Sequence, residues 1–188
     1  VKSERAMKTA LTRIRAVSLE GTAIRVVDEE WSDTRDVVSG VGAMLNGGRF
    51  NAAESFRVVY LTEDSRNGLR EINYPVSAGG KFSVVGAWRV TVVPVEFRLE
   101  RVLDLCDFHV RIELGTDRDE ILQNIELFEA RGEEAPSQTL GRVVYKSGWS
   151  AILYPSRHTP KVGNLAVFPD NLGPGEYLRA QETKRRAP

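Results

Sequence analysis

Short apolar runs recur along this chain, and each is too brief to form the core of a helix. Thr22–Val27 reads Thr-Ala-Ile-Arg-Val-Val directly after Gly21 and is rich in β-branched residues, while Arg57–Leu61, Trp149–Tyr154 and Asn164–Phe168 are short runs of mostly aliphatic and aromatic residues. Branched and aromatic side chains fit a pleated, half-buried surface, so these runs predict strands. Phe82–Val95 reads as one long strand or a hairpin, and Glu96–Leu105 continues with alternating apolar residues toward a further strand. Segments of helical period lie between them. Met7, Leu11 and Ile14 predict an amphipathic N-terminal helix within residues 1–17. Asp64 or Ser65 caps a short helix with Leu69 and Ile72 inward. Thr116 or Asp117 caps another, carrying Ile121, Ile125 and Phe128 and ending near Gly132. Ser137–Ser147 forms a third, with Leu140 and Val144 inward. Asp28–Asn46 has no clear period and holds Gly40 and Gly42, which predicts a long loop running into Gly47 and Gly48. The polar, basic Gln181–Pro188 reads as a frayed tail. Strands and helices in this mixed order predict an α+β fold: one domain, with central mixed or antiparallel β-sheets flanked by helices.

The 188 residues, 41% of them apolar, suit one hydrophobic core. The 26 basic and 26 acidic side chains cancel, and no basic stripe with interleaved aromatics occurs. A general nucleic-acid or anionic-lipid binder is therefore disfavoured, because such partners are held by clustered positive charge. Cys106 is the single cysteine, which excludes an internal disulfide framework and any CxxC ligand pair. His109 and His158 each lack a second ligand at i+3 or i+4, and no G-x-S-x-G elbow accompanies Ser156, so neither a metal site nor a serine hydrolase is expected. Lys2, Glu4, Arg5, Lys8, Arg13 and Arg15 interrupt the first seventeen residues, unlike the apolar core of a signal peptide or membrane span. The expectation is a soluble, cytoplasmic protein.

The densest chemistry lies where Gly47-Gly48-Arg49-Phe50-Asn51 precedes Val58-Val59-Tyr60-Leu61 and then Leu69-Arg70-Glu71. This order supplies a cation beside a permissive backbone, an aromatic ring and a carboxylate, on elements that folding can bring to one cleft. Arginine suits a diphosphate because its planar fork donates two parallel charge-assisted hydrogen bonds. Arg25 and Arg49 are the candidates. Each also has a plainer reading, Arg25 as an edge-strand cation facing water and Arg49 as a turn residue. Tyr60 reads equally as core filling, Glu71 as a solvated surface carboxylate and Ser156, after Pro155, as a turn residue.

At these residues the chain resembles the RES-domain family, named for a shared arginine, glutamate and serine. Arg49 in Gly-Gly-Arg-Phe-Asn, Glu71 after Val59-Tyr60-Leu61, and Ser156 in Leu153-Tyr154-Pro155-Ser156 match in order and context, and Arg25 and Tyr60 match further pocket positions. The resemblance runs roughly from Thr22 to Phe168. Phe50 stands where tryptophan is frequent, and Ala52-Ala53-Glu54 where many members have proline or a glycine pair. It implies the toxin half of a bacterial toxin–antitoxin pair, a fold similar to ADP-ribosyltransferases, and NAD+ as substrate. A cognate antitoxin is the implied partner.

Cleaving the nicotinamide–ribose bond builds positive charge on the sugar, in an oxocarbenium-like transition state that a nearby carboxylate stabilises. In that scheme Glu71 supplies the carboxylate and Arg25 and Arg49 hold the diphosphate. Tyr60 walls the nicotinamide end, and Ser156 donates to ribose or to the nicotinamide amide. Asn51 and Arg157 are second-tier candidates. The leaving nicotinamide is neutral, so the reaction requires neither a metal nor a general acid. Water, phosphate and a target protein are all acceptors compatible with these residues, which leaves NAD+ glycohydrolase, phosphorylase and ADP-ribosyltransferase open. Two readings of another class are a nucleotide-binding module without turnover and an interaction protein docking through its N-terminal helix.

Overall fold

The computed structural model describes residues 2–63, 90–157 and 163–182. The helix expected after Asp64, with Glu71 on it, lies outside these residues, as do Phe82–Arg89 and His158. The N-terminal helix α1 (Glu4–Leu11) starts at Ser3, whose hydroxyl accepts from the Ala6 N–H, and buries Met7, Ala10 and Leu11. It ends well short of residue 17, because the long strand β1 (Val17–Asp28) already begins there. Next come two short helices, α2 (Thr34–Ser39) and α3 (Val41–Asn46), then strands β2 (Val59–Thr62) and β3 (Val90–Asp104). Helices α4 (Phe108–Leu114), α5 (Arg118–Leu122), α6 (Glu126–Glu129) and α7 (Pro136–Lys146) lead to β4 (Ala151–Pro155), β5 (Gly163–Val167) and β6 (Tyr177–Ala180).

Three expectations are corrected. Glu96–Leu105 does not lead to a further strand: β3 runs unbroken from Val90 to Asp104. The stretch Asp28–Asn46 is not a long loop: it folds into a 3-10 turn at Glu29–Trp31 followed by α2 and α3. The Asp33 carboxylate caps α2 through the Arg35 N–H, and Gly40, at φ 73°, ends α2 and starts α3 in a left-handed conformation that suits glycine. The helix expected from Asp117 to Gly132 is two helices, since Gln123, at φ −61° and ψ 161°, breaks it. Its start is as expected, with the Asp117 carboxylate accepting from the Glu120 N–H.

The six strands form one sheet in the order β1-β2-β5-β4-β3-β6, and a further antiparallel β1–β3 pairing closes the first five into a ring. Among the described residues only the β3–β4 pairing is parallel. β3 is long enough to serve two neighbours along one edge, β6 at Val95–Arg98 and β4 at Val102–Asp104. Closure gives the sheet two distinct apolar faces, because successive strand residues point to opposite sides. One face gathers Ala23, Val59, Leu61, Val93, Val95, Leu99, Leu165 and Val167 inside the ring, covered by Val37 of α2. The other carries Leu103, Ile152, Tyr154 and Ala166 against Met7 and Leu11 of α1 and Leu140, Val143 and Val144 of α7.

A buried carboxylate ties the last segment to the sheet. Glu176, with its side chain 2% exposed, accepts from the N–H groups of Glu100 and Gly173 at 2.6 and 2.7 Å and from Arg101 Nη2 at 3.1 Å. Burial alone would raise its pKa, but hydrogen bonds from Ser150, these N–H groups and Arg101 outweigh burial and hold it at about 2. A depressed carboxylate stabilises the fold fully above its unfolded value, about 4.3, and loses that contribution as pH falls toward 2. Glu176→Gln is therefore expected to lower stability at pH 7 by about 2 kcal/mol. In urea unfolding the gap between wild type and variant should close between pH 4 and pH 2; a gap constant across that range would refute the assignment.

Candidate functional site

The Gly47-Gly48-Arg49-Phe50-Asn51 segment leaves α3 and folds into a tight turn, with the Gly48 N–H donating to the Asn51 carbonyl at 2.8 Å and the Asn51 N–H to the Gly48 carbonyl at 3.3 Å. Phe50 at its tip is fully buried, edge-on to Tyr154 at 4.9 Å between ring centroids. That anchor fixes the orientation of the residues on either side.

Tyr60 of β2 locks the turn from beneath. Its hydroxyl accepts from the Phe50 N–H at 2.9 Å and donates to Asn51 Oδ1 at 2.8 Å. The buried Asn51 amide in turn donates from Nδ2 to the Ala43 carbonyl at 2.6 Å, which ties the turn back to α3. Burial raises the Tyr60 pKa far above its ordinary value; the Phe50 N–H and the nearby Arg49 charge oppose that only partly. The hydroxyl thus stays protonated at any physiological pH and acts as a structural donor. Gly48 is required here because a Cβ would lie 2.6 Å from the Tyr60 ring.

Arg49 points to α5, donating from Nη1 to the carbonyls of Ile121 at 2.8 Å and Gln123 at 3.2 Å. These are carbonyls at the helix end, where partial negative charge collects. The same helix reaches the serine end of the expected site, since Arg118 Nη2 donates to the Ser156 carbonyl at 3.2 Å. Ser156 follows the last residue of β4 and is fully buried. Arg49, Asn51, Tyr60 and Ser156 are thereby joined through one turn and one short helix, while Arg157 is exposed beside them.

Arg25 occupies a neighbouring place. It lies on the Ala23 face of β1, in register with Val93, and opens into a cavity of about 440 Å³ between β1 and helices α2 and α3. It does not stand on an edge facing water. Its Nη1 is buried without a hydrogen-bond partner, and burial lowers its pKa to about 10, leaving it charged at pH 7. Asn46 lines the same cavity, and the chain passes directly from it into Gly47-Gly48-Arg49. Glu71 lies outside the described residues.

Sequence reasoning missed Gln138, the residue that holds the turn from above. Fully buried on α7, it accepts from the Ala135 N–H at 2.9 Å and donates from Nε2 to the carbonyls of Gly48 at 3.1 Å and Asn51 at 3.3 Å. The signal available was Ala-Pro-Ser-Gln at a helix start, where a glutamine at N3 reaches back to the cap N–H. Among the described residues no group of three or more His, Cys, Asp or Glu side chains could hold a metal, and no helix is long and apolar enough to cross a membrane.

A model of the RES domain matches residues 22–187. No functionally curated protein matches the chain in sequence. Among solved structures, the Mycobacterium tuberculosis MbcT–MbcA toxin–antitoxin complex contains a chain that superposes with a TM-score of 0.68 at 19% identity, covering 94% of this chain and 90% of that one. At that identity the likeness establishes the shared fold.

Proposed function

The chain belongs to the RES-domain family, and from that premise we propose that it is an NAD+-consuming enzyme that cleaves the nicotinamide–ribose bond. It would serve as the toxin of a toxin–antitoxin pair, a role supported by its fold likeness to a chain of a toxin–antitoxin complex. The observation that supports the reading is the hydrogen-bonded linkage of Arg49, Asn51 and Tyr60 through one turn, joined by α5 to the Ser156 backbone carbonyl, beside a cavity lined by Arg25, whose buried Nη1 has no hydrogen-bond partner.

In this reading the chain's own residues bind and orient the dinucleotide. Arg25 and Arg49, on either side of the Asn46–Gly48 segment, neutralise the diphosphate. The Tyr60 hydroxyl is already engaged, so its ring bounds the site while its oxygen keeps the Arg49 turn in register. Buried Ser156 orients a ribose or amide group. Glu71 supplies the charge facing the ribose as its bond to nicotinamide lengthens, which is where a fixed carboxylate stabilises the transition state more than the ground state.

Nicotinamide release from NAD+ by purified protein tests this directly. Glu71→Gln is expected to slow release by about a hundredfold with dinucleotide binding retained. Free ADP-ribose, ADP-ribose 1″-phosphate or a mass gain on protein from a lysate identifies water, phosphate or a side chain as the acceptor. Absence of release with all three supplied would overturn the enzymatic reading in favour of a nucleotide-binding module. A cognate antitoxin that acts by covering the site should abolish dinucleotide binding in the complex.

A further inference from the structure

The cavity between β1 and the α2–α3 pair enters the reading above only through Arg25, yet its wall offers three kinds of chemistry. The first is the buried Nη1 of Arg25, which has no hydrogen-bond partner. A desolvated guanidinium is costly until an anion completes it, and a phosphate oxygen does so well. The second is an apolar rim of Trp31, Val41 and Leu45, exposed by 58%, 40% and 57%. A solvent-exposed indole among aliphatic side chains suits the face of a nucleobase. The third is a pair of exposed carboxylates, Asp28 and Asp36, which accept hydrogen bonds and repel anions. Anion, base and hydroxyl recognition together describe a nucleotide, and about 440 Å³ lies within the range of small-molecule sites.

We propose that this cavity seats the adenosine diphosphate half of the dinucleotide, with Trp31 against the adenine and Asp28 and Asp36 restricting the site to a ribose with free hydroxyls. The inference rests on the NAD+-consuming reading and adds the identity of the accepted cofactor form. The diphosphate then falls between Arg25 in the cavity and Arg49 just beyond Asn46, which places the nicotinamide half toward Tyr60. A 2′-phosphate on the adenosine ribose would bring two negative charges to Asp28 and Asp36, and like charges at a binding surface are strongly discriminating. NADP+ is therefore excluded while NAD+ is accepted.

Calorimetric titration of the full chain carrying Glu71→Gln, which avoids turnover, tests this with NAD+, NADP+, AMP and nicotinamide mononucleotide. NAD+ should bind at least about tenfold more tightly than NADP+. Adding Asp28→Asn and Asp36→Asn should bring the two within about threefold, by removing the repulsion, at an unchanged melting temperature. Trp31→Ala should weaken NAD+ and AMP by about tenfold and leave nicotinamide mononucleotide unaffected. Equal affinity for NAD+ and NADP+ in the parent, or a ratio unmoved by the aspartate substitutions, would overturn the inference while the NAD+-cleaving reading stands on nicotinamide release. Failure of every nucleotide to bind would overturn both.

Discussion

Gly141→Ala is expected to destabilise the protein by more than about 3 kcal/mol, far beyond what helix propensity or ordinary overpacking would suggest. In a solvent-facing helix the same change is favourable, because alanine loses less conformational freedom than glycine. Gly141 lies in the buried middle of α7, against the backbone of Phe50. An added Cβ would overlap the Phe50 carbonyl oxygen and come within 2.6 Å of Phe50 Cβ and 2.7 Å of its carbonyl carbon. Backbone atoms held by Gly48, Asn51 and Gln138 hydrogen bonds cannot give way as a flexible side-chain tip can. The strain must lift α7 or displace the Arg49 turn. Gly42→Ala is the matched control: it is also a helical glycine, no atom lies within 4 Å of its added Cβ, and a gain of up to about 1 kcal/mol is expected. Chemical unfolding of the two variants measures the contrast. Similar small effects in both would mean that the close approach of α7 to the turn is not a feature of the folded protein.

Tyr60→Phe is expected to cost about 2–4 kcal/mol, although it removes one oxygen and leaves the ring in place. The hydroxyl serves two partners at once, and its loss leaves the Phe50 N–H and Asn51 Oδ1 without that partner in a site that excludes water. An unsatisfied buried group costs about 1–3 kcal/mol, whereas removing both members of a pair costs less. Asn51→Leu in the Tyr60→Phe background should thus cost less than it does in wild type, a coupling that a double-mutant cycle reads. Nicotinamide release should fall in Tyr60→Phe as well, because Arg49 is aimed by the turn that this hydroxyl locks. Additive stability effects of the two substitutions would show that the hydroxyl and the amide do not act as a unit.

Much of the fold is legible where local chemistry is unambiguous. The runs around Thr22–Val27, Arg57–Leu61, Trp149–Tyr154 and Asn164–Phe168 became β1, β2, β4 and β5, and Pro136–Lys146 lies within a residue of the helix expected from Ser137 to Ser147. Elsewhere the local signal is weak or misleading. Gly40 carries the chemistry of a loop, yet it is the left-handed joint between two helices. Helix α4 leaves little trace in the sequence because Phe108 and Ile112 face solvent at 60% and 55% exposure and the segment buries only Leu114. β6 is four residues of mixed character whose existence depends on an edge of β3 left free by the shorter β4.

The candidate site divides in the same way. Sequence alone determined the residue types and their order: Arg25, then Gly47-Gly48-Arg49 with Asn51, then Tyr60 among apolar strand residues, and Ser156 after Pro155. Within each short motif the chemistry is carried by neighbouring residues, although the motifs themselves lie far apart in the chain. Only the tertiary structure decided that the Tyr60 hydroxyl is a brace for the turn, that Gln138, nearly ninety residues away in sequence, grips the same turn, and that Arg25 opens into a cavity rather than to water. Those outcomes depend on which strands pair and how closely α7 approaches Phe50, contacts whose partners lie from about ten to about ninety residues apart and leave no periodic trace in either segment. Hydrophobic period is a property of one element against any core, whereas the partner of a buried polar group is a property of one particular pairing.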